Sequence, residues 1–392
     1  MKFKDKNLKY ISIYGGLFTL FAIIWSYLAP YVFSGYPVYP PELGIDYSAI
    51  YGASPLSFSI YNIAFGSYIL LYLITLVYIN VLSWNKRDIK IIKRVILLCT
   101  FIIVLTSASQ LFAYFTGFLD VTPYLYTIKT RELNYSLIGY FLPVPRIQAT
   151  YQEPSMLAPF LIGLYSYMLY ELLLKFSLNK LLGVMTILFL IILSASTTAF
   201  ISIFIMTFIL LFYLIKSKHG IASKIGTIIK FLTFTSALLF VVTIFSFITI
   251  GIDNVTKIID TYLINKPQST SFSKRTTADL HALKLFLDTY GLGVGLGSNR
   301  PSSLLPYLLS QLGIIGTSLF ILFISKIIIY SYKTLKNTKY FAFFFLIPSV
   351  IVAQLVAYPD ITNPTLWQFI YIAIITSLAI KNTKERENAS LH

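Results

Sequence analysis

The sequence predicts an all-α polytopic membrane protein with about ten transmembrane helices and two long outer loops, and three observations predict it. The chain of 392 residues is 57% hydrophobic and 12% charged, with mean hydropathy +0.76. That is more apolar surface than one water-soluble core hides, so the bilayer is its solvent. The apolar residues fall into runs close to the ~20 residues that a helix needs to cross the hydrocarbon layer. The net charge of +16 is confined to alternate segments between those runs.

The runs lie at 11–33, 60–83, 95–116, 155–174, 181–195, 197–215, 231–251, 303–325, 341–357 and 366–380. The first is too long for a signal-peptide core and reads as a retained anchor. With the N-terminal Met1–Lys9 segment placed in the cytoplasm, the inner segments, counted with Glu171 at the inner end of the fourth run, hold 22 of the 31 basic residues and five of the 15 acids. The outer segments hold nine basic residues and ten acids. The entire positive excess is then cytoplasmic, as expected when both termini lie on the cytoplasmic side of the membrane. Charge divided among many short loops makes no continuous basic stripe, which argues against a nucleic-acid partner. The single cysteine, Cys99, excludes a disulfide framework and a thiol-ligated metal site.

The chain reads as one transmembrane domain, 1–392, with two long outer segments at 117–154 and 252–302. Long loops in compact proteins usually carry function. Tyr124, Tyr126, Tyr140 and Phe141 make the first too aromatic for a disordered linker. In the second, Leu280, Leu283, Phe286, Leu287 and Tyr290 recur at helical spacing, with Arg275, Asp279, Lys284 and Asp288 on other sides. This predicts an amphipathic helix in the interface with membrane lipids, ended by Gly291. Apart from Glu171, no Asp, Glu, Lys, Arg or His lies inside a span, which weighs against an ion-coupled transporter.

The outer face therefore holds the candidate chemistry. Arg146, Arg275 and Arg300 carry permanent charge on a planar fork that matches phosphate oxygens; lipid-headgroup contact is the plainer reading. Arg146 precedes Glu153-Pro154-Ser155 at the start of the fourth span, and Arg300 precedes Pro301-Ser302-Ser303 at the start of the eighth. Each arginine thus lies beside a helix N-terminus, whose amides favour an anion. The alternating glycines from Gly291 to Gly297, followed by Ser298 and Asn299, allow close backbone approach, either to a ligand or to neighbouring helices. Glu153 and the outer histidine, His281, are candidate proton acceptors, with helix capping and a structural role as their alternatives. No Asp-x-Asp or His-x-x-x-His pair occurs outside, so neither a metal nor another cofactor is expected.

Four blocks together resemble the Wzy-type O-antigen polymerases, in the superfamily that also contains O-antigen ligases. They are Arg146 through Glu153-Pro154-Ser155, Leu193 through Thr198 at the apex of a tight hairpin, and Ser273-Lys274-Arg275. The fourth is Gly293 through Arg300, continuing to Gln311-Leu312-Gly313 and Gly316. The resemblance covers residues 140–320. It implies a GT-C-like fold and a metal-independent glycosyltransferase that polymerises undecaprenyl-pyrophosphate-linked oligosaccharides, with a chain-length regulator as a further partner. It also implies that Arg146, Arg275 and Arg300 hold the pyrophosphate. Ser302 and Gln311 stand where ligases usually have His and Glu, which favours a polymerase. A ligase of the same superfamily and a flippase of lipid-linked sugars are the alternatives.

Overall fold

The computed structural model describes residues 6–41, 51–117, 145–151, 153–216, 225–226, 228–229, 232–233, 236 and 270–389. Most of them are helical. In chain order the elements are α1 (Lys6–Val32), a short antiparallel pair β1 (Pro37–Val38) and β2 (Ser54–Pro55), α2 (Ile60–Val81), α3 (Lys86–Thr116), α4 (Pro154–Leu174), α5 (Leu178–Ser194) and α6 (Thr197–Lys216). Then come α7 (Thr270–Asp288), α8 (Leu304–Leu335), a 3-10 turn (Phe341–Phe345), α9 (Leu346–Val356) and α10 (Pro364–Ala389).

Seven helices among the described residues are long and apolar enough to cross a membrane. Leu178–Ser194 and Phe341–Val356 are shorter apolar helices. The fold is accordingly all-α and polytopic. The expected span at 231–251 lies outside the described residues apart from isolated positions, as do the loop aromatics Tyr124, Tyr126, Tyr140 and Phe141 and residues 252–269.

The chain forms two compact units. The first comprises Met1–Ile92, Thr270–Ile347 and Gln354–His392; the second comprises Lys93–Ser269 with Pro348–Ala353. In the first, α1 packs on α2 and α8, α8 on α7 and α10, and α10 on α2. Lipid is as apolar as leucine, so close packing rather than water exclusion holds such helices together. Small residues permit it: a Cβ on Gly15 of α1 would stand 2.8 Å from Leu73 and 2.9 Å from Phe323, and one on Gly316 of α8 would stand 2.7 Å from Phe21. Phe18 fills the seam, with its ring 5.4 Å from that of Phe320.

In the second unit, α4 packs on α5 and α6 and is buried along nearly its whole length. The α5–α6 hairpin turns through Ala195 and Ser196, with Ala195 at φ 43°. At the other end of α4, Glu171 pairs with Lys180 at 3.2 Å and Lys93 at 3.6 Å.

The glycine loop ahead of α8 organises the first unit. α8 is broken at Gly313, whose φ of 61° is left-handed. A break inside a membrane-crossing helix exposes backbone groups that lipid cannot satisfy. Here the loop satisfies them: the Val294 and Gly295 amides donate to the Ser310 and Gln311 carbonyls at 2.8 Å each, and the Ile314 amide donates to Gly291 at 2.9 Å. Each alternate glycine then meets a different helix. A Cβ on Gly293 would lie 2.7 Å from the Gly313 amide nitrogen of α8, one on Gly295 3.1 Å from the Trp25 carbonyl of α1, and one on Gly297 2.5 Å from the Tyr61 carbonyl of α2. The close approach that these glycines permit is to helix backbone, the second of the two readings open from sequence.

Candidate functional site

The loop delivers Arg300 to the end of the first unit where α2 and α8 begin. Its backbone amide donates to the Tyr39 carbonyl at 2.8 Å, and its guanidinium Nη1 reaches the Pro41 carbonyl at 3.4 Å. It is half-buried and forms no ion pair among the described residues. The polar neighbours expected to bind substrate are engaged within the fold. The Gly297 amide donates to Gln311 Oε1 at 2.6 Å, the Ser298 hydroxyl accepts from Asn62 Nδ2 at 2.8 Å, and Asn299 Oδ1 accepts from the Tyr39 amide at 2.9 Å while its Nδ2 reaches Ser310 at 3.3 Å. Together these bonds fix the backbone from which Arg300 projects.

The α8 N-terminus was expected to offer free amides to an anion. Just before it, the amides of Ser302 and of the N-cap Ser303 are taken by Asp279 of α7, whose Oδ1 accepts from them at 2.6 Å and 3.0 Å. Its Oδ2 accepts from the Ser303 hydroxyl at 2.7 Å. Ser302 is buried, and its carbonyl accepts from the Tyr358 amide at 3.0 Å. Asp279 therefore clamps α7 to the start of α8. Arg275 stands one helical turn before Asp279, half-buried and without a hydrogen bond or ion pair among the described residues. The clamp thus brings Arg275 and Arg300 to the same end of the unit.

α7 ends at Asp288 and Gly291 closes it, its amide donating to the Phe286 carbonyl at 2.8 Å. Its small residues Ala278 and Ala282, with Leu285, are buried. Leu280, Leu287 and Tyr290 face outward with 62%, 70% and 86% of their surface open. The predicted apolar stripe is thus mainly on the outward face. His281, between the two faces, stacks on Tyr39 at 4.2 Å, and its Nε2 bonds the Pro37 carbonyl at 3.0 Å. A carbonyl only accepts, so Nε2 carries the proton and Nδ1 the lone pair. Burial lowers the His281 pKa and nearby Lys284 adds to this, while the Pro37 bond and Asp288 oppose it.

In the second unit the arginine is tied down. Arg146 Nε donates to the Ser194 carbonyl at 3.1 Å and its Nη2 to the Ala195 carbonyl at 3.2 Å, while the Ile147 amide donates to Leu193 at 3.2 Å. A cation at the C-terminus of α5 is also favourable to the helix dipole. Replacing Arg146 by Ala is expected to lower stability by about 1–3 kcal/mol through the abandoned carbonyls. Thermal unfolding in detergent measures this; an unchanged midpoint would show that the bracing is dispensable. Glu153 stands at the N-cap of α4 without capping it through its side chain, and its Oε2 accepts from the Ser155 hydroxyl at 3.2 Å.

Sequence reasoning missed Asp360, between α9 and α10. Its Oδ1 accepts from the Thr362 amide at 2.7 Å and hydroxyl at 2.6 Å, and its carbonyl accepts from Gln354 Nε2 at 2.9 Å. The Tyr307 hydroxyl, which acts on it, and Gln311 Nε2, one turn along α8 from Tyr307, are buried without a close hydrogen-bond partner. Burial raises the Asp360 pKa above the usual carboxylate value, against the opposing pull of Thr362, Arg300 and the Tyr307 hydroxyl. The only hint in sequence was a carboxylate isolated between two apolar runs. A raised native pKa makes this group favour the folded state at low pH, and that favour is lost as pH rises through the native value. Asp360→Asn should therefore be more stable than the parent at neutral pH, with the gap closing as pH falls. Unfolding midpoints across pH test this; a constant gap would refute it.

Among the described residues, no cluster of three or more His, Cys, Asp or Glu is arranged to hold a metal. Compared with protein-family models, curated proteins and solved structures, the chain matches none of them.

Proposed function

We propose that the protein is a glycosyltransferase that polymerises undecaprenyl-pyrophosphate-linked oligosaccharide repeats, of an O-antigen or related surface polysaccharide, on the outer face of a bacterial inner membrane. One observation carries the reading: at one end of a membrane-crossing bundle, Arg300 and Arg275 keep their charges unclosed by any carboxylate among the described residues. A guanidinium that closes no ion pair at such a surface suits a pyrophosphate leaving group, whose growing charge it stabilises without a metal. The exposed leucines of α7 suit a helix seated in the lipid interface, where the substrate's isoprenoid tail is held. Termini in the cytoplasm follow from the distribution of lysine and arginine.

A broken helix is also a feature of transporters, where it lines a cavity. The break in α8 is closed by the glycine loop, which favours an enzyme over a flippase. Purified protein given lipid-linked repeat units in detergent, with no membrane gradient, should produce a ladder of longer glycans. Repeat units left as monomers by folded protein would refute polymerase activity. Transfer to a lipid A core alone would make the protein a ligase.

A further inference from the structure

We propose that Asp360 is the proton acceptor of this site, taking the proton from the acceptor sugar hydroxyl as that oxygen attacks the donor. The inference rests on the polymerase reading and adds a residue and a role to it.

The geometry has three parts. First, the carboxylate is aimed: Thr362 holds Oδ1 through two hydrogen bonds, and Gln354 fixes the Asp360 backbone. Both Thr362 bonds go to Oδ1, which leaves Oδ2 to the weaker pull of the Tyr307 hydroxyl. Second, it is not neutralised. Arg300 acts on Asp360 electrostatically but closes no ion pair with it, so cation and base stay separate, as a site that stabilises a leaving group while accepting a proton requires. Third, the Tyr307 hydroxyl, which acts on Asp360, and Gln311 Nε2, one turn along α8 from Tyr307, have no close hydrogen-bond partner. The Tyr307 hydroxyl is 3% exposed as a residue and Gln311 is fully buried, and both come from the first half of α8. Buried polar atoms without partners are costly and are retained where a ligand supplies the missing bond. Sugar hydroxyls both donate and accept, so they suit a tyrosine hydroxyl, an amide nitrogen and a carboxylate together.

The step balances. The acceptor oxygen forms a bond to the anomeric carbon, and the bond from that carbon to the lipid pyrophosphate breaks with its electron pair leaving on the pyrophosphate. The hydroxyl proton passes to Asp360 and then to water. Candidate acceptors from elsewhere in the first unit are less suited: His281 is stacked and bonded at Nε2, and Asp279 is spent on the α8 amides. The groups facing Asp360 are Arg300 from the loop, Tyr307 from α8 and Tyr72 from α2, whose hydroxyl donates to the Thr362 carbonyl at 2.8 Å. Tyr358 faces Tyr307 from the same segment as Asp360.

The test compares the parent with Asp360→Asn, Asp360→Glu and Tyr307→Phe in the ladder assay across pH, alongside binding of undecaprenyl pyrophosphate. Asn keeps the Oδ1 acceptor for Thr362, so the turn is preserved. Turnover of Asp360→Asn should fall about 10²–10⁴-fold with lipid binding within threefold of the parent, and Asp360→Glu should restore part of it. In the parent, rate should rise with pH as Asp360 ionises. Tyr307→Phe should move that acidic limb to higher pH, because the Tyr307 hydroxyl holds the Asp360 pKa down. Asp360→Asn turning over within threefold of the parent would overturn the base assignment and leave the polymerase standing. So would loss of lipid binding in step with turnover, since that marks a residue needed for the lipid. Should Asp360→Asn fail to fold, an unmoved acidic limb in Tyr307→Phe overturns the assignment. A parent that makes no ladder removes both proposals.

Discussion

Gly293→Ala is expected to destabilise the protein by ~2–5 kcal/mol, the summed cost of overpacking and of a left-handed alanine. Gly293 has φ 76°, and its Cβ would stand 2.7 Å from the Gly313 nitrogen and 2.8 Å from the Gln311 carbonyl carbon. Both are backbone atoms of α8, so no side chain is available to swing aside. Any accommodation shifts the loop and breaks the hydrogen bonds that close the α8 break. Gly16→Ala is the control: its Cβ would meet nothing within 4 Å, and alanine favours a helix interior by up to about 1 kcal/mol over glycine. Thermal unfolding of the two variants in one detergent separates them. Equal midpoints would mean that the loop and α8 are not interlocked as described.

Arg300→Ala should reduce glycan polymerisation by about 10²–10³-fold, the usual cost of removing one donor to a developing anion. Arg300→Lys should fall between, since it keeps the charge and loses the planar fork. The fold should tolerate both, because the loop is anchored through the Arg300 backbone amide and through Asn299, Ser298 and Gly297, with only one long bond from the guanidinium itself. The assay is the glycan ladder with protein quantity matched. Undiminished ladders from Arg300→Ala and from Arg275→Ala would remove the pyrophosphate clamp.

The helices were legible because membrane crossing imposes a length and a polarity that composition displays directly. The run read at 60–83 is helix Ile60–Val81, and the run read at 155–174 is Pro154–Leu174. The break at Gly313 was not legible, because a hydrophobic run gives no sign of which carbonyls remain in helical register. The glycine loop was legible as a place of close approach, but the partner was not. Glycine spacing reports the freedom of a backbone and says nothing of what fills the space beside it. The arginines stood out on a nearly neutral outer face, yet Arg146 and Arg300 look alike in sequence and differ in the structure: one bonds two helix-end carbonyls at 3.1 and 3.2 Å, and the other one loop carbonyl at 3.4 Å. Asp279 bonds Ser302 and Ser303 across 23 and 24 residues of chain, and Asp360, though held locally by Thr362, meets Arg300 and Tyr307 from far along the chain, which no local pattern records.

The first unit is discontinuous in the chain, and this sets an order of biogenesis. Its α1 and α2 leave the ribosome before residue 93, while the glycine loop that joins them to α8 follows after residue 290. During synthesis of the intervening ~200 residues, at about 5–20 residues per second, Asn62 lacks the Leu296 and Ser298 partners it later holds. For roughly ten seconds or more, Asn62 Nδ2, in the first turn of α2, must find other partners while its Oδ1 is held by Ser59. Truncation before Gly291 should therefore leave α1 and α2 as substrates for membrane quality control.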